Sequence, residues 1–561
     1  MRVICLAALV VMFASLAPVA PRAVLAQDRG AVALAGTVTS RQEGPMEGVV
    51  VAARRDGANF SVSVVTDARG RYAFPRENLE PGRYGVRLRA VGYDADEPGP
   101  VTVKAGGAAT LNLRLHPTAN LSAQLTSLEW VMSMPGTPEQ KNLLVRRTVN
   151  CVFCHSLERV VRTRYTAEQW IPVIQRMGTY NPDFTGLLRH QVNAPATGGE
   201  APAPAPAPVT AQTKELAAYL ATVNLSTAST WGYALQTLPR PKGRATRVVV
   251  TVYDLPRRDS VVHDMDVDSQ GNAWFGNTGW DFLGKLDPKT ATFSEYAAPN
   301  FLPRQPPAIQ GVADVQVDAG DNVWAAVRGP RLGRFDTRTL TWTFFDLPGG
   351  KVAVNFIAPF AGRDAGVAWA TETANAYRVN TRTGVVDAFP MYTNAPPGSH
   401  LTYAIDMDSK NNAYFEDFGS SNIGRIDNAT GAVTLFPTPT PNAFPRRGSM
   451  DAQDRLWFSE FLADKIGRLD TATGRIDEFP VPRLHISPYF VRPDLHGDIW
   501  SSSLGSDRLL RMNPATGEFA EYLMPVYYDA RKVVLDRSSR TTTLWLPNKN
   551  SSQLIRVQPL D

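Results

Sequence analysis

Cysteine is nearly missing from this chain. Three occur in 561 residues, Cys5, Cys151 and Cys154. Cys5 lies within a leader-like N-terminus and too near the start to anchor a lipid, so a processed chain keeps a single pair. That excludes a disulfide framework and a zinc site built on four cysteines. Long apolar runs are missing as well. The one such stretch, Ile4 to Leu16, is too short to span a bilayer and is followed by Pro18 and Pro21. No charge sign dominates: the formal net charge is +5, and it falls to +3 once Arg2 and Arg22 are removed. So small an imbalance gives no ground for a nucleic-acid partner and only slight ground for an acidic one.

What is present begins with an export signal. Arg2 supplies the charged region, Ile4 to Leu16 the apolar core, and Ala23-Val24-Leu25-Ala26 a small-residue cleavage site. Residues 1–26 are therefore expected to be removed, leaving a secreted protein, periplasmic in a Gram-negative host. The remaining cysteines stand in Cys151-Val152-Phe153-Cys154-His155. Cys-x-x-Cys-His is the attachment pattern of c-type haem. Two thiols add across the porphyrin vinyl groups, and the adjoining histidine becomes the proximal iron ligand. A zinc half-site would need a second ligand pair, and a redox dithiol has no use for the histidine. Export agrees with haem, which is attached outside the cytoplasm.

At this length the chain predicts several domains, mainly β. Residues 31–117 alternate apolar and polar between Gly, Pro and Asp turns, as strands do. Thr66-Asp67-Ala68-Arg69-Gly70-Arg71-Tyr72-Ala73-Phe74 and Leu79-Glu80-Pro81-Gly82-Arg83-Tyr84 carry the pattern. In these motifs the segment resembles the carboxypeptidase regulatory-like domain. The resemblance implies a β-sandwich of carbohydrate-binding-like type, serving as a spacer or recognition module.

Residues 118–226 read as helical. Thr137-Pro138-Glu139-Gln140 opens a helix with Pro at its first turn, and Thr166 to Gln169 is a second start. Lys214 to Val223 is a third, amphipathic helix, and residues 196–209 form a stiff Ala/Pro-rich insert. Helices around Cys-x-x-Cys-His resemble a small class I cytochrome c domain. The iron, held by His155, then needs a sixth ligand. Met177, before Gly178 where the helix is expected to give way, is the first candidate and would favour electron transfer. His190 is the alternative.

Residues 244–561 repeat. Aromatic markers recur at Trp274, Trp324, Trp369, Tyr414, Trp457, Trp500 and Trp545, spaced 43 to 50 residues apart. Most follow an Asp and a turn, as in Asp268-Ser269-Gln270-Gly271-Asn272-Ala273-Trp274. Four short strands per unit predict a seven-bladed β-propeller. Val248 to Pro256 reads as a final strand with nothing before it, able to complete the last blade and remove the free edges. Leu456-Trp457-Phe458-Ser459-Glu460 with Lys465-Ile466-Gly467-Arg468-Leu469-Asp470 resembles the virginiamycin B lyase (streptogramin lyase) family. That resemblance implies Mg²⁺-assisted elimination opening a cyclic depsipeptide ester, with histidines about eleven residues before the blade tryptophan and a nearby glutamate. Only His263 falls in that slot; before Trp500 it holds Pro488-Tyr489. Glu372, Glu416 and Glu460 follow their markers and are expected at the central channel. His400 and His485 lie between units.

Two functions stand out. One is an exported c-type cytochrome whose propeller binds a substrate or a redox partner. The other is a Mg²⁺-dependent C–O lyase, using His263 and Glu460, with the haem region accessory. A plain binding scaffold, holding carbohydrate through the sandwich, is the third.

Overall fold

A computed structural model describes residues 32–148, 156–179, 208–224, 232–301, 311–327, 329, 331–349, 355–360, 363–549 and 551–561. The leader, Cys151, Cys154, His155, His190 and residues 196–207 of the insert lie outside the described residues.

The chain is mainly β. Val32–Ser40 pairs antiparallel with Arg71–Pro75 and parallel with Leu113–Pro117, forming one layer. Val50–Arg55 lies between Phe60–Val65 and Gly82–Arg89 in the other. Val38, Val51, Tyr72, Phe74, Val86 and Leu113 fill the space between them. This N-terminal unit is sandwich-like, as its alternating pattern requires.

The second layer does not end at Phe60–Val65. Val248–Asp254 pairs antiparallel with it on one side and with Gln553–Pro559 on the other. The result is one eight-stranded sheet shared by the sandwich and the C-terminal region. The sequence Val248-Val249-Val250-Thr251-Val252 explains how: a strand buried on both faces reads as a continuous apolar run. Val249 enters the sandwich core, while Val248, Val250 and Val252 enter a second core with Ile555 and Val557. The N-terminal unit is thus welded to the rest, where a spacer was expected.

Between Met265 and Leu523 the described strands form six four-stranded antiparallel sheets in chain order, an arrangement that is propeller-like. The aromatic markers are fully buried in it. Their spacing from an aspartate has a cause. The Asp268 carboxylate accepts from the backbone N–H groups of Gln270 and Asn272, closing the turn. It also accepts from the indole Nε1 of Trp274 at 2.9 Å. Asp318–Trp324, Asp451–Trp457 and Asp494–Trp500 repeat the bond at 2.8–2.9 Å. One carboxylate therefore satisfies both a turn and a buried indole, which would otherwise carry a desolvation cost of about 1–3 kcal/mol. The glycine of the Ile-Gly-Arg motif is equally forced: a Cβ on Gly467 would collide with the Phe458 ring.

Five helices are described: α1 (Ser127–Ser133), α2 (Pro138–Thr148), α3 (Glu158–Val161), α4 (Ala167–Thr179) and α5 (Ala211–Val223). Thr137 with Gln140, and Thr166 with Gln169, exchange reciprocal side-chain-to-backbone bonds at the starts of α2 and α4. Helix α4 runs on through Gly178 to Thr179, so Met177 sits half-buried in its last turn. Trp130, Leu144, Trp170 and Leu216 share a core with Phe461, Tyr489, Trp500 and Leu504 of the propeller-like sheets.

Ile555→Ala should lower stability by about 2–5 kcal/mol. Hydrogen exchange should then show Val50–Arg55 and Gln553–Pro559 losing protection together. Loss confined to the C-terminal strand would contradict the shared sheet.

Candidate functional site

The innermost strands of the sheets carry the site. Four of them break register at the same place: at Ala313-Asp314, Tyr403, Arg446-Arg447 and Tyr489-Phe490. A bulge sets an extra residue against the partner strand and re-aims side chains. In Pro445–Met450 it turns two successive arginines into the interior, and Gly448 follows because a Cβ there would meet the Trp457 carbonyl.

Buried ion pairs tie the strands across the centre. Arg447 Nη1 donates to Asp264 Oδ1 at 2.7 Å and to the Arg531 carbonyl at 2.9 Å. Lys532 Nζ donates to Asp314 Oδ1 at 3.0 Å. Arg531 Nε donates to Asp529 Oδ1 at 2.7 Å. Burial pushes the Asp264 carboxyl up, but Arg447 and His263 outweigh it and hold the group well below the usual carboxylate range. Removing one partner of such a pair strands a charge in a dry interior, at a cost of about 3–5 kcal/mol.

Beside these pairs lies a tyrosine–arginine cluster. The fully buried Tyr489 hydroxyl accepts from Arg531 Nη1 at 3.0 Å and from Arg446 Nη2 at 3.2 Å, and it bonds the Tyr403 hydroxyl. Arg446 is caged by aromatic faces, 4.2 Å from the Tyr403 and Tyr489 centroids, 4.3 Å from Phe418 and 4.7 Å from Phe461. Its Nε and Nη1 are buried with no hydrogen-bond partner among the described residues. Burial alone would raise the Tyr489 phenol; the positive charges of Arg446, Arg531 and Arg447 reverse this and bring it down to about 8. A phenol so placed gives up its proton more readily than an ordinary tyrosine.

Carboxyl groups nearby have gone the other way. Glu416 is fully buried, both its oxygens lack partners among the described residues, and burial followed by the Asp406 charge raises it well above its ordinary value. Glu460 is pushed up to about 8, first by burial and then by Glu478. At neutral pH Glu460 holds a proton. Opposed shifts within one enclosure are what acid–base chemistry uses.

His263 is buried, with Nδ1 2.6 Å from Asp264 Oδ2. Burial brings its pKa down to about 4 despite the carboxylate, so the ring is neutral above that pH. Glu460 belongs to a different neighbourhood, that of Lys465 and Glu478, whereas His263 answers to Asp264, Lys549 and Arg447. Among the described residues no hydrogen bond or ion pair links the two. Glu372 bonds the Asn375 amide. His400 is pinned between Asp417 and the Pro396 carbonyl and stacked on Tyr392. His485 lines a cleft of about 320 Å³ against α2 and α5, with Leu143, Arg146 and Gln212. Among the described residues no three His, Cys, Asp or Glu side chains converge as a metal set.

The sequence reading missed Tyr403, Arg446 and Arg531. A signal existed: Tyr403, Arg446 and Tyr489 stand eleven residues before Tyr414, Trp457 and Trp500, the slot that His263 holds before Trp274. The helices close over this cluster. Arg146 of α2 stacks on Phe444, which touches Phe418, which lies against Arg446.

Residues 304–531 match the model of the virginiamycin B lyase family, and residues 33–116 match the carboxypeptidase regulatory-like domain. No curated protein matches the chain. Among solved structures, virginiamycin B lyase from Staphylococcus aureus is similar at 20% identity with a TM-score of 0.48, covering 55% of this chain and 99% of that one. A streptogramin B lyase is similar at 20% identity with a TM-score of 0.49, covering 56% and 99%.

Ultraviolet titration should show one tyrosine ionising near pH 8, absent in Tyr489→Phe and moved upward in Arg531→Gln. Because its folded pKa is below the ordinary value of 10, this group's contribution to stability should grow as pH rises from 8 to 10 and vanish as pH falls through 8. A Tyr489→Phe spectrum indistinguishable from the parent's would refute the assignment.

Proposed function

We propose that the chain is an exported lyase-type protein whose site lies on the axis of a seven-bladed propeller. Six blades are the four-stranded sheets; the seventh is Val534–Leu535, Leu544–Asn548, Gln553–Pro559 and Val248–Asp254. The observation that carries the reading is the Tyr489 phenol held between Arg446 and Arg531, with Arg446 keeping unpartnered donors. The family match over residues 304–531 supports it.

The substrate class is an ester with an acidic hydrogen next to a carbonyl and an acyloxy group one carbon further on. Ionised Tyr489 takes that hydrogen as a proton. The Arg446 guanidinium stabilises the carbonyl oxygen as negative charge builds on it. The electron pair left on carbon forms a double bond, the C–O bond breaks, and the acyloxy group leaves as a carboxylate. The proton passes from Tyr489 to water. Mg²⁺ is the cation that the family resemblance implies. The described donor set does not gather three His, Cys, Asp or Glu ligands for it.

Opening of a depsipeptide lactone, followed by the absorbance of the new double bond, tests this. The rate should rise with pH through about 8, and Tyr489→Phe should lose about 100-fold or more. Full activity in that variant, or loss confined to His263→Ala, would move the base elsewhere.

A second reading rests on a separate observation, the sequence Cys151-Val152-Phe153-Cys154-His155 directly after α2. In it the protein is also a periplasmic c-type cytochrome, with His155 and either Met177 or His190 as axial ligands. Haem bound there would supply one-electron transfer to a redox partner. A pyridine haemochrome spectrum of the exported protein should be positive. Met177→Ala should abolish the weak far-red sulfur-to-iron band if Met177 is the ligand. A colourless product with two free thiols would end this reading.

A further inference from the structure

The innermost strands run away from the tyrosine–arginine cluster. Thr402–Met407, Pro445–Met450 and Pro488–Pro493 start beside it and end about 10–15 Å further along the axis. Their far ends, with Leu535, surround a cavity of about 630 Å³. That volume suits a small ligand.

The chemistry of this opposite mouth is lopsided. Arg363, Arg492 and Arg537 all line it, and among the described residues none of them has a carboxylate within ion-pair distance. Arg492 is only 8% exposed, and its Nε donates to the Val533 carbonyl at 3.1 Å. Arg363 Nη2 donates to the Asp408 carbonyl at 2.8 Å. Burial, and then the Arg537 charge, lowers the Arg492 pKa to about 10, while the Asp406 and Asp266 carboxylates pull it the other way.

The acids around the mouth are already committed. Asp451 holds Arg455 and the Trp457 indole. Asp454 accepts from Ser409. Asp494 accepts from the Trp500 indole and from the backbone of His496 and Asp498. Asp406 is the exception: buried behind the mouth, it uses Oδ1 on the Met407 backbone while Oδ2 has no hydrogen-bond partner among the described residues, and burial pushes it up to about 6 against the charges of Arg492 and Arg363. Three guanidiniums thus line the cavity together with the apolar side chains of Met407, Met450 and Leu535. Guanidinium groups are suited to planar, bidentate recognition of carboxylate and phosphate oxygens.

We infer that this mouth binds a compact polyanion, a polycarboxylate or a phosphate ester, through Arg363, Arg492 and Arg537. The site is separate from the Tyr489 cluster and does not depend on the reading given to it. It gives the channel an anion-selective end facing away from the helices.

The test is calorimetric titration of the full-length exported protein with citrate and, separately, with inorganic pyrophosphate at low salt. At least one should bind at a single site, with affinity falling as salt rises. Arg537→Gln, at an exposed position that should fold normally, and Arg492→Gln should each weaken binding by roughly tenfold or more. Arg540→Gln, an exposed arginine outside the cavity, should leave it unchanged. Citrate alone binding identifies a carboxylate ligand, and pyrophosphate alone a phosphate one. No heat from either anion, or equal weakening in Arg540→Gln, overturns the inference.

Discussion

Everything described hangs on Val248–Asp254 being apolar on both faces. A strand with one wet face could close a sheet, but it could not join two. Because Val249 points one way and Val248, Val250 and Val252 the other, the strand seals the C-terminal edge and the N-terminal unit's edge in one act. Each edge left open would expose a row of unpaired N–H and C=O groups. The burial of those valines, at about 25 cal/mol per Å² of apolar surface, is what holds the two units in one orientation.

A closed ring of sheets then creates an interior that no single sheet has. Its inner strands bring together side chains that are hundreds of residues apart, such as Asp264 with Arg447 and Asp314 with Lys532. In that interior water is excluded, and charge is decided by neighbours. The same enclosure lowers Tyr489, where three arginines converge, and raises Glu416, where another carboxylate is close. The direction of each shift is set by environment.

The helices add a lid-like layer whose core is continuous with that of the sheets. Glu129, in the capping box of α1, also accepts from the Leu238 backbone, and the Leu128 N–H donates to the Gly505 carbonyl. The helical region is therefore fixed over the rim carrying Arg446, while the arginine-lined mouth opens on the far side. The inner strands thus start at one chemical environment and end at another.

Local features were readable in advance because their causes are local. The recurrence of Trp274, Trp324, Trp457 and Trp500 comes from an aspartate six residues earlier serving both turn and indole, and Thr137 and Thr166 cap helices through partners three residues away. The amino-acid sequence by itself determined the mainly β character, the repeat, the helix starts and the Cys-x-x-Cys-His motif, since each is written within a few residues or at a constant period. Tertiary structure alone decided that the sandwich joins the last sheet, that α4 runs on past Gly178, which partners His263 and Glu460 each meet, and that the Tyr489 phenol is lowered. These depend on burial and on charges brought together from distant positions. The apolar run at Val248 and the eleven-residue spacing mark the positions in the sequence, but the partners that meet there are set by the fold.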